Sequence, residues 1–193
     1  MVQRHRWVED MIELRDLVPD DVHRLYRWRQ EPEVDNWLFE HPPAEFEAHQ
    51  AWFDAFMADD DRAGWIIMQH GEPSGFLNLI GVTNFKRRAR WNWYIGEPVA
   101  RGRGAGRAAQ ALGLERAFDQ LGLQKVWSEI HAANEPALRA QAAAGFRREG
   151  YLRRHSFKRG DYRDVILLAI LAEEWTCRRE RVLADLQKSG LIR

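Results

Sequence analysis

The chain has 193 residues, and its 29 Lys and Arg balance 29 Asp and Glu, giving a formal net charge of zero. A general nucleic-acid binder normally shows a basic excess, so that class is excluded. No membrane partner is expected, because no apolar run approaches the roughly 20 residues that span a bilayer, and the single cysteine, Cys177, rules out an internal disulfide and a four-thiolate metal site.

Met11 to Arg15 reads as a first strand. Pro19-Asp20-Asp21 opens a helix with Val22, Leu25, Tyr26 and Trp28 at helical spacing, stopped by Glu31-Pro32. Trp37 to Pro43 is an aromatic loop ended by two prolines. A second helix is predicted from Ala44 to about Ala58, with Phe46, Trp52, Phe53, Phe56 and Met57 inward. After the charged break at Asp59-Asp60-Asp61 the pattern changes to strands: Trp65 to Met68 and Phe76 to Val82 flank a connection at Gly71 to Gly75. Arg90 to Ile95 is the next strand of this meander.

A Gly-rich turn and a helix running to about Leu121 follow, closed by Gly122. Lys125 to His131 alternates with period 2, placing Val126, Ser128 and Ile130 on one face and Trp127, Glu129 and His131 on the other. A helix from about Glu135 to Ala144 ends at Gly145-Phe146. Arg147 to Phe157 and Tyr162 to Leu171 make a final hairpin, and Ala172 to about Leu186 a charged C-terminal helix. The order predicts one domain, residues 1–193, with a mixed sheet and helices on its faces. Hydrophobic residues are 45% and Met1 to Trp7 lacks an apolar signal core, so a soluble, cytoplasmic protein is expected.

The stretch from Trp91 to Arg107 organises the rest. It reads as an aromatic strand, a Pro98 break, a basic glycine turn and a helix start. A turn opening a helix presents unpaired N–H groups and a positive dipole end, which suit a phosphate. Its glycines allow unusual φ values and close backbone approach. A solvated turn that only links two elements is the plainer alternative.

Arg101-Gly102-Arg103-Gly104-Ala105-Gly106 matches the Arg/Gln-x-x-Gly-x-Gly/Ala pyrophosphate motif of the GCN5-related N-acetyltransferase (GNAT) superfamily, and Asn134, Ala137, Leu138 and Gly145-Phe146 resemble its second signature. The resemblance covers roughly Ile12 to Trp175. It implies an α/β GNAT-like fold: a mostly antiparallel seven-stranded sheet, splayed between strands 4 and 5. Glu149 to His155, Asp164 and Glu174-Trp175 resemble a branch holding ribosomal-protein N-terminal acetyltransferases and the sugar-nucleotide acetyltransferases of pseudaminic acid synthesis. Arg29, Val34, Trp37-Leu38-Phe39, His41, Glu47, His49 and Trp52 look more like the latter, which acetylate the 4-amino group of a UDP-linked amino-dideoxy sugar for flagellin glycosylation.

The resemblance implies transfer of acetyl from acetyl-CoA to an amine, without a metal. The turn amides of Arg101, Gly102, Arg103, Gly104, Ala105 and Gly106 would hold the pyrophosphate, with Arg101, Arg103 and Arg107 adding charge that reaches the 3′-phosphate or only faces water, while backbone groups of Tyr94, Ile95 and Gly96 would pair with pantetheine and polarise the thioester. Such an oxyanion donor is worth roughly 3 kcal/mol of barrier. Asn134 orients the coenzyme or caps a helix. An alkylammonium must lose a proton to attack. Glu129 is the first candidate base, against the plainer reading of a carboxylate paired with an Arg; His49 is the second, against a helix-surface histidine; His131 ranks below both. The position at which many family members carry a thiolate-protonating tyrosine is Gln141, so the general acid stays open. Trp37, Phe39, His41, His49, Trp91 and Trp93 are candidates to wall a UDP-amino-sugar acceptor, although core packing suits at least half of the aromatics. A protein N-terminal or other small-amine acetyltransferase, and a non-catalytic coenzyme A-binding domain, are the alternatives. A homodimer is a candidate assembly.

Overall fold

The computed structural model describes residues 11–193, so the stretch Met1 to Trp7, read above for targeting, lies outside the described residues. In chain order the elements are β1 (Ile12–Asp16), α1 (Asp21–Gln30), α2 (Pro32–Asp35), α3 (Phe46–Met57), β2 (Arg62–Gln69), β3 (Glu72–Ile80), β4 (Arg88–Ile95) and α4 (Ala105–Glu115). Then come β5 (Lys125–His131), α5 (Glu135–Ala144), β6 (Arg147–Lys158), β7 (Asp161–Leu171), α6 (Ala172–Thr176) and α7 (Arg179–Lys188). Among the described residues no helix is long and apolar enough to cross a membrane.

The strands form one seven-stranded sheet in the order β1-β2-β3-β4-β5-β7-β6. Every pairing is antiparallel except β4 with β5, which run parallel and meet only at Arg88–Lys125, Ala89–Val126 and Arg90–Trp127. Beyond Arg90 the two strands part, leaving a wedge whose edges are the last residues of β4 and β5.

Each face of the sheet has its own core. On one, Leu77, Leu79, Trp91 and Ile170 pack against the alanine-rich face of α4, with Trp175 and Leu186 from the C-terminal helices. On the other, Ile66 and Phe76 meet Val22, Leu25 and Trp28 of α1 and Phe53 and Phe56 of α3. Met57, expected inward, is 44% exposed, because it lies one residue past the buried stripe at the end of α3.

Four boundaries differ from the sequence expectation. The β2–β3 connection is a tight turn at His70-Gly71, both at positive φ, so Glu72 and Pro73 already belong to the strand. Pro32 not only stops α1 but opens α2, where its missing N–H costs nothing. The helix after the glycine turn is α-helical only to Glu115. A wider π turn over Arg116–Gln120 follows, from which Arg116 reaches back to the Leu14 carbonyl at 2.6 Å. The C-terminal helix is broken at Cys177-Arg178: the Arg178 side chain lies over Gly145, and Arg179 pairs with Glu115 at 2.6 Å and Asp119 at 2.8 Å. Those tertiary contacts outrank helical propensity.

Candidate active site

The chain leaves β4 sharply. The N–H groups of Gly96 and Glu97 both donate to the Ser74 carbonyl, at 2.9 and 3.0 Å, and a short 3-10 turn follows over Pro98–Ala100. Gly102 and Gly104 take φ of +75° and +86°, which L side chains rarely adopt, and α4 starts at Ala105. No side chain caps this helix. The first N–H groups of α4, at Ala105, Gly106 and Arg107, therefore have no partner within the helix and face an exposed turn. The arrangement suits a phosphate. Gly106 rests on the Trp93 indole, which a Cβ there would approach to 2.8 Å.

The three arginines divide. Arg101 turns back: Nε and Nη2 donate to the Ile95 and Gly96 carbonyls at 3.1 Å each, and its other nitrogen pairs with Glu33. It straps the turn to the end of β4 rather than pointing at a phosphate, which corrects the expectation for it. Arg107 lies 3.9 Å from Asp185, and Arg103 is exposed with no ion pair among the described residues.

Backbone groups in an antiparallel ladder alternate sides. Gly96 spends its N–H on β3, so it is not the thioester donor. The groups of Ile95 therefore point into the wedge, where Arg101 holds the carbonyl and the N–H remains for a ligand. The Tyr94 ring enters the α1/α3 core, against Trp28 and Phe76, and burial raises its hydroxyl above the usual tyrosine range.

The other lip of the wedge is built by β5. Glu129 pairs with Arg90 of β4 at 2.9 Å and lies 3.8 Å from His155 Nε2, so the Arg-paired alternative describes it. Phe39 stacks on His131 at 4.5 Å, with Arg90 over both Phe39 and Trp127. Past His131 opens a cavity of about 510 Å³, lined among others by Trp37, Asn36, Arg154, Arg163 and Asp164. Among the described residues no group of three or more His, Cys, Asp or Glu is arranged to hold a metal ion.

A helix start with free N–H groups thus lies on one lip and a cavity of about 510 Å³ on the other. The family model for the acetyltransferase (GNAT) domain matches residues 12–147. The chain belongs to the GNAT acetyltransferase family. As a member it is an N-acetyltransferase that uses acetyl-CoA. It is 26% identical over 164 residues to the spermidine N(1)-acetyltransferase of Escherichia coli, covering 85% of this chain and 88% of that one. It is 23% identical to a prophage-derived, uncharacterised N-acetyltransferase of Bacillus subtilis, covering 88% and 94%. Its fold is similar to that of the Vibrio cholerae spermidine N-acetyltransferase solved with CoA and spermine: TM-score 0.81, 23% identity, 86% of this chain and 98% of that chain. The expected likeness to the sugar-nucleotide branch is not among these similarities.

Within this GNAT domain several expected site residues lie elsewhere. His49 is fully buried between α1 and α3, Nε2 against the Val22 carbonyl at 3.2 Å, so it is neither a helix-surface residue nor a base open to substrate. Burial, then the Arg29 charge, hold its pKa near 4. Trp91 is 1% exposed and packs on Phe146, and Trp93 shares its face, under α4. Both belong to the α4 face of the sheet, because residues two apart on a strand point the same way. Asn134 caps α5, its Oδ1 accepting from the Ala137 N–H at 3.3 Å. Gln141 is fully buried and accepts from the Ser128 hydroxyl at 2.7 Å, so that position offers no acid to the wedge.

The loop carrying Trp37, Phe39 and His41 is fixed by residues that the sequence reading passed over as a turn. The buried Lys158 ammonium donates to Asp35 Oδ1 at 2.8 Å, to the Leu38 carbonyl at 2.7 Å and to the Asp35 carbonyl. Arg159 adds 2.6 Å to Asp35 Oδ2, His41 Nδ1 lies 3.2 Å from Oδ1, and Arg163 holds the Asn36 carbonyl at 2.7 Å. Burial pushes the Asp35 carboxyl up, but the hydrogen bonds from Lys158 and Arg159 outweigh it and leave the group below the usual range. Two adjacent cations facing an acidic segment were the available signal, with Lys158 123 positions after Asp35.

Proposed function

We propose that the protein transfers acetyl from acetyl-CoA to a primary amino group of a small cationic amine of the polyamine class. The observation that carries this is charge. Residues 31–47, which run from the end of α1 through α2 and the aromatic loop into α3, contain six carboxylates and no Lys or Arg. Asp35 and Glu33 are neutralised by partners. Glu40, Glu45 and Glu47 are exposed, with no ion pair among the described residues. An acidic approach raises the local concentration of a cation and repels an anion such as a nucleotide diphosphate. The cavity wall itself carries both signs, so the lip decides. The 26% identical spermidine acetyltransferase supports the same class.

In this reading the N–H groups opening α4 and Arg103 hold the coenzyme's phosphates, and the Ile95 N–H faces the thioester carbonyl. The amine approaches from the Phe39 side. Acetyl-CoA consumption measured against spermidine, a UDP-4-amino sugar and a basic peptide tests it. Turnover with spermidine that weakens as salt rises is the expected result; turnover confined to the nucleotide sugar or the peptide rejects it.

A further inference from the structure

His131 is a titratable group at the cavity that takes part in no ion pair among the described residues. It is 2% exposed, lines the cavity and lies flat against Phe39. Nδ1 is 3.3 Å from Ser156 Oγ, whereas Nε2, also buried, has no hydrogen-bond partner among the described residues. Leaving such an atom unmatched is costly, and in folded proteins a group of this kind calls for an explanation such as a bound ligand. The alternatives are spent: Glu129 is paired with Arg90, His49 is sealed in the core, and Gln141 cannot take a proton.

We propose that His131 is the catalytic base of the transfer, its Nε2 taking a proton from the acceptor ammonium in this cavity. This rests on the amine-acceptor reading above. It uses the tautomer in which Nδ1–H donates to Ser156 Oγ and Nε2 carries the lone pair. The ammonium N–H bond breaks and its proton moves to Nε2. The freed nitrogen bonds to the thioester carbon, and the C–S bond breaks with its electron pair going to sulfur. A second proton from that nitrogen ends on the thiolate, and the imidazolium returns its proton to solvent through the open cavity. Burial first, then Arg163 and Lys158 from the β6–β7 hairpin, lower its pKa from the ordinary imidazole value and so favour the neutral ring, although the Leu38 carbonyl acts the other way. Arg154, Asp161 and Asp164 line the same cavity.

The test compares wild type, His131→Gln and His131→Gly, with acetyl-CoA and spermidine, or whichever amine of the three-class panel the wild type acetylates. For His131→Gln, kcat falls by about 10²–10⁴-fold, while acetyl-CoA affinity, acceptor KM and melting temperature stay near wild type. The acid-side break in the kcat profile disappears. Added imidazole restores part of the rate to His131→Gly, and both variants acetylate trifluoroethylamine, already neutral at pH 7, with little loss. A His131→Gln enzyme that keeps its kcat and its acid break overturns the proposal. So does an equal loss toward ammonium and neutral amine without imidazole rescue, which marks a packing role. A wild type that acetylates spermidine poorly but another amine well rejects the polyamine reading alone; one that acetylates no amine rejects both.

Discussion

The two lips of the wedge are built by opposite strategies. The lip proposed to hold the coenzyme is one continuous piece of chain: β4, the turn and the start of α4, residues 88–107, with Arg101 closing back onto residues five and six positions earlier. The acceptor lip is assembled from far-apart pieces, namely Phe39, Arg90, Glu129, His131 and the Lys158–Asp35 clamp. A contiguous site is set by local backbone chemistry, so its geometry survives wherever the glycines and the helix start survive. An assembled site depends on which side chains end up satisfying one another.

The sharpest way to break the first lip is Gly104→Glu. The residue sits at φ +86°, and a Cβ there would come 2.7 Å from the Leu191 side chain, so the local backbone is strained by about 1–3 kcal/mol. The new carboxylate also faces the phosphates, a like-charge contact costing several kcal/mol. Calorimetry is expected to show no measurable acetyl-CoA binding by a protein that still melts cooperatively. Unchanged affinity removes the phosphates from this turn.

Breaking the second lip calls for Lys158→Met, which keeps the bulk and removes every donor. It leaves the Asp35 carboxylate without its buried ammonium, and losing one partner of such a pair costs about 3–5 kcal/mol. Melting temperature should drop and acceptor KM rise, while acetyl-CoA affinity measured below the transition stays the same. A parallel loss of acetyl-CoA affinity would show that the two lips are one structure rather than two.

The same contrast decides what the sequence could reveal. The glycine turn was legible as a turn because its information is local: Gly102 and Gly104 do take positive φ, and Asn134 does cap the helix it precedes. The strand alternation of β5 was legible for the same reason. His49 was misplaced because its neighbours on α3 do not disclose that α1 covers it. Trp91 and Trp93, candidates for the acceptor wall, pack under α4 instead, since a period of 2 does not say which face of the sheet is which. Lys158-Arg159 read as a hairpin turn because its partner Asp35 ends α2, more than a hundred residues earlier.

The buried histidine gives a pH signature that belongs to the α1/α3 core and to neither lip. Its pKa is about 4 in the fold against 6.5 when free, so the unfolded chain binds more protons between those values. Stability is therefore fully present above pH 6.5 and is lost progressively as pH falls toward 4, by up to about 3 kcal/mol. Melting temperatures of wild type and His49→Gln from pH 4 to 7 check it; an equally steep acid decline in the variant assigns the effect to other groups.

Glu129→Gln should have the smallest effect, and it is the most informative about the acceptor lip. Were Glu129 the base, its removal would cost orders of magnitude and erase the acid limb of the rate profile. The structure instead gives its Oε2 to Arg90, whose guanidinium also covers Phe39. A partly exposed ion pair of this kind is worth about 1 kcal/mol or less. Replacing the carboxylate keeps the shape and a weaker hydrogen bond, so Phe39 loses only part of its support. The expected outcome is a fall in kcat/KM of less than about tenfold, since tenfold is 1.4 kcal/mol, carried by acceptor KM, with the acid limb retained. A kcat that falls a hundredfold and loses that limb would return the proton transfer to Glu129 and leave His131 as a packing partner of Phe39.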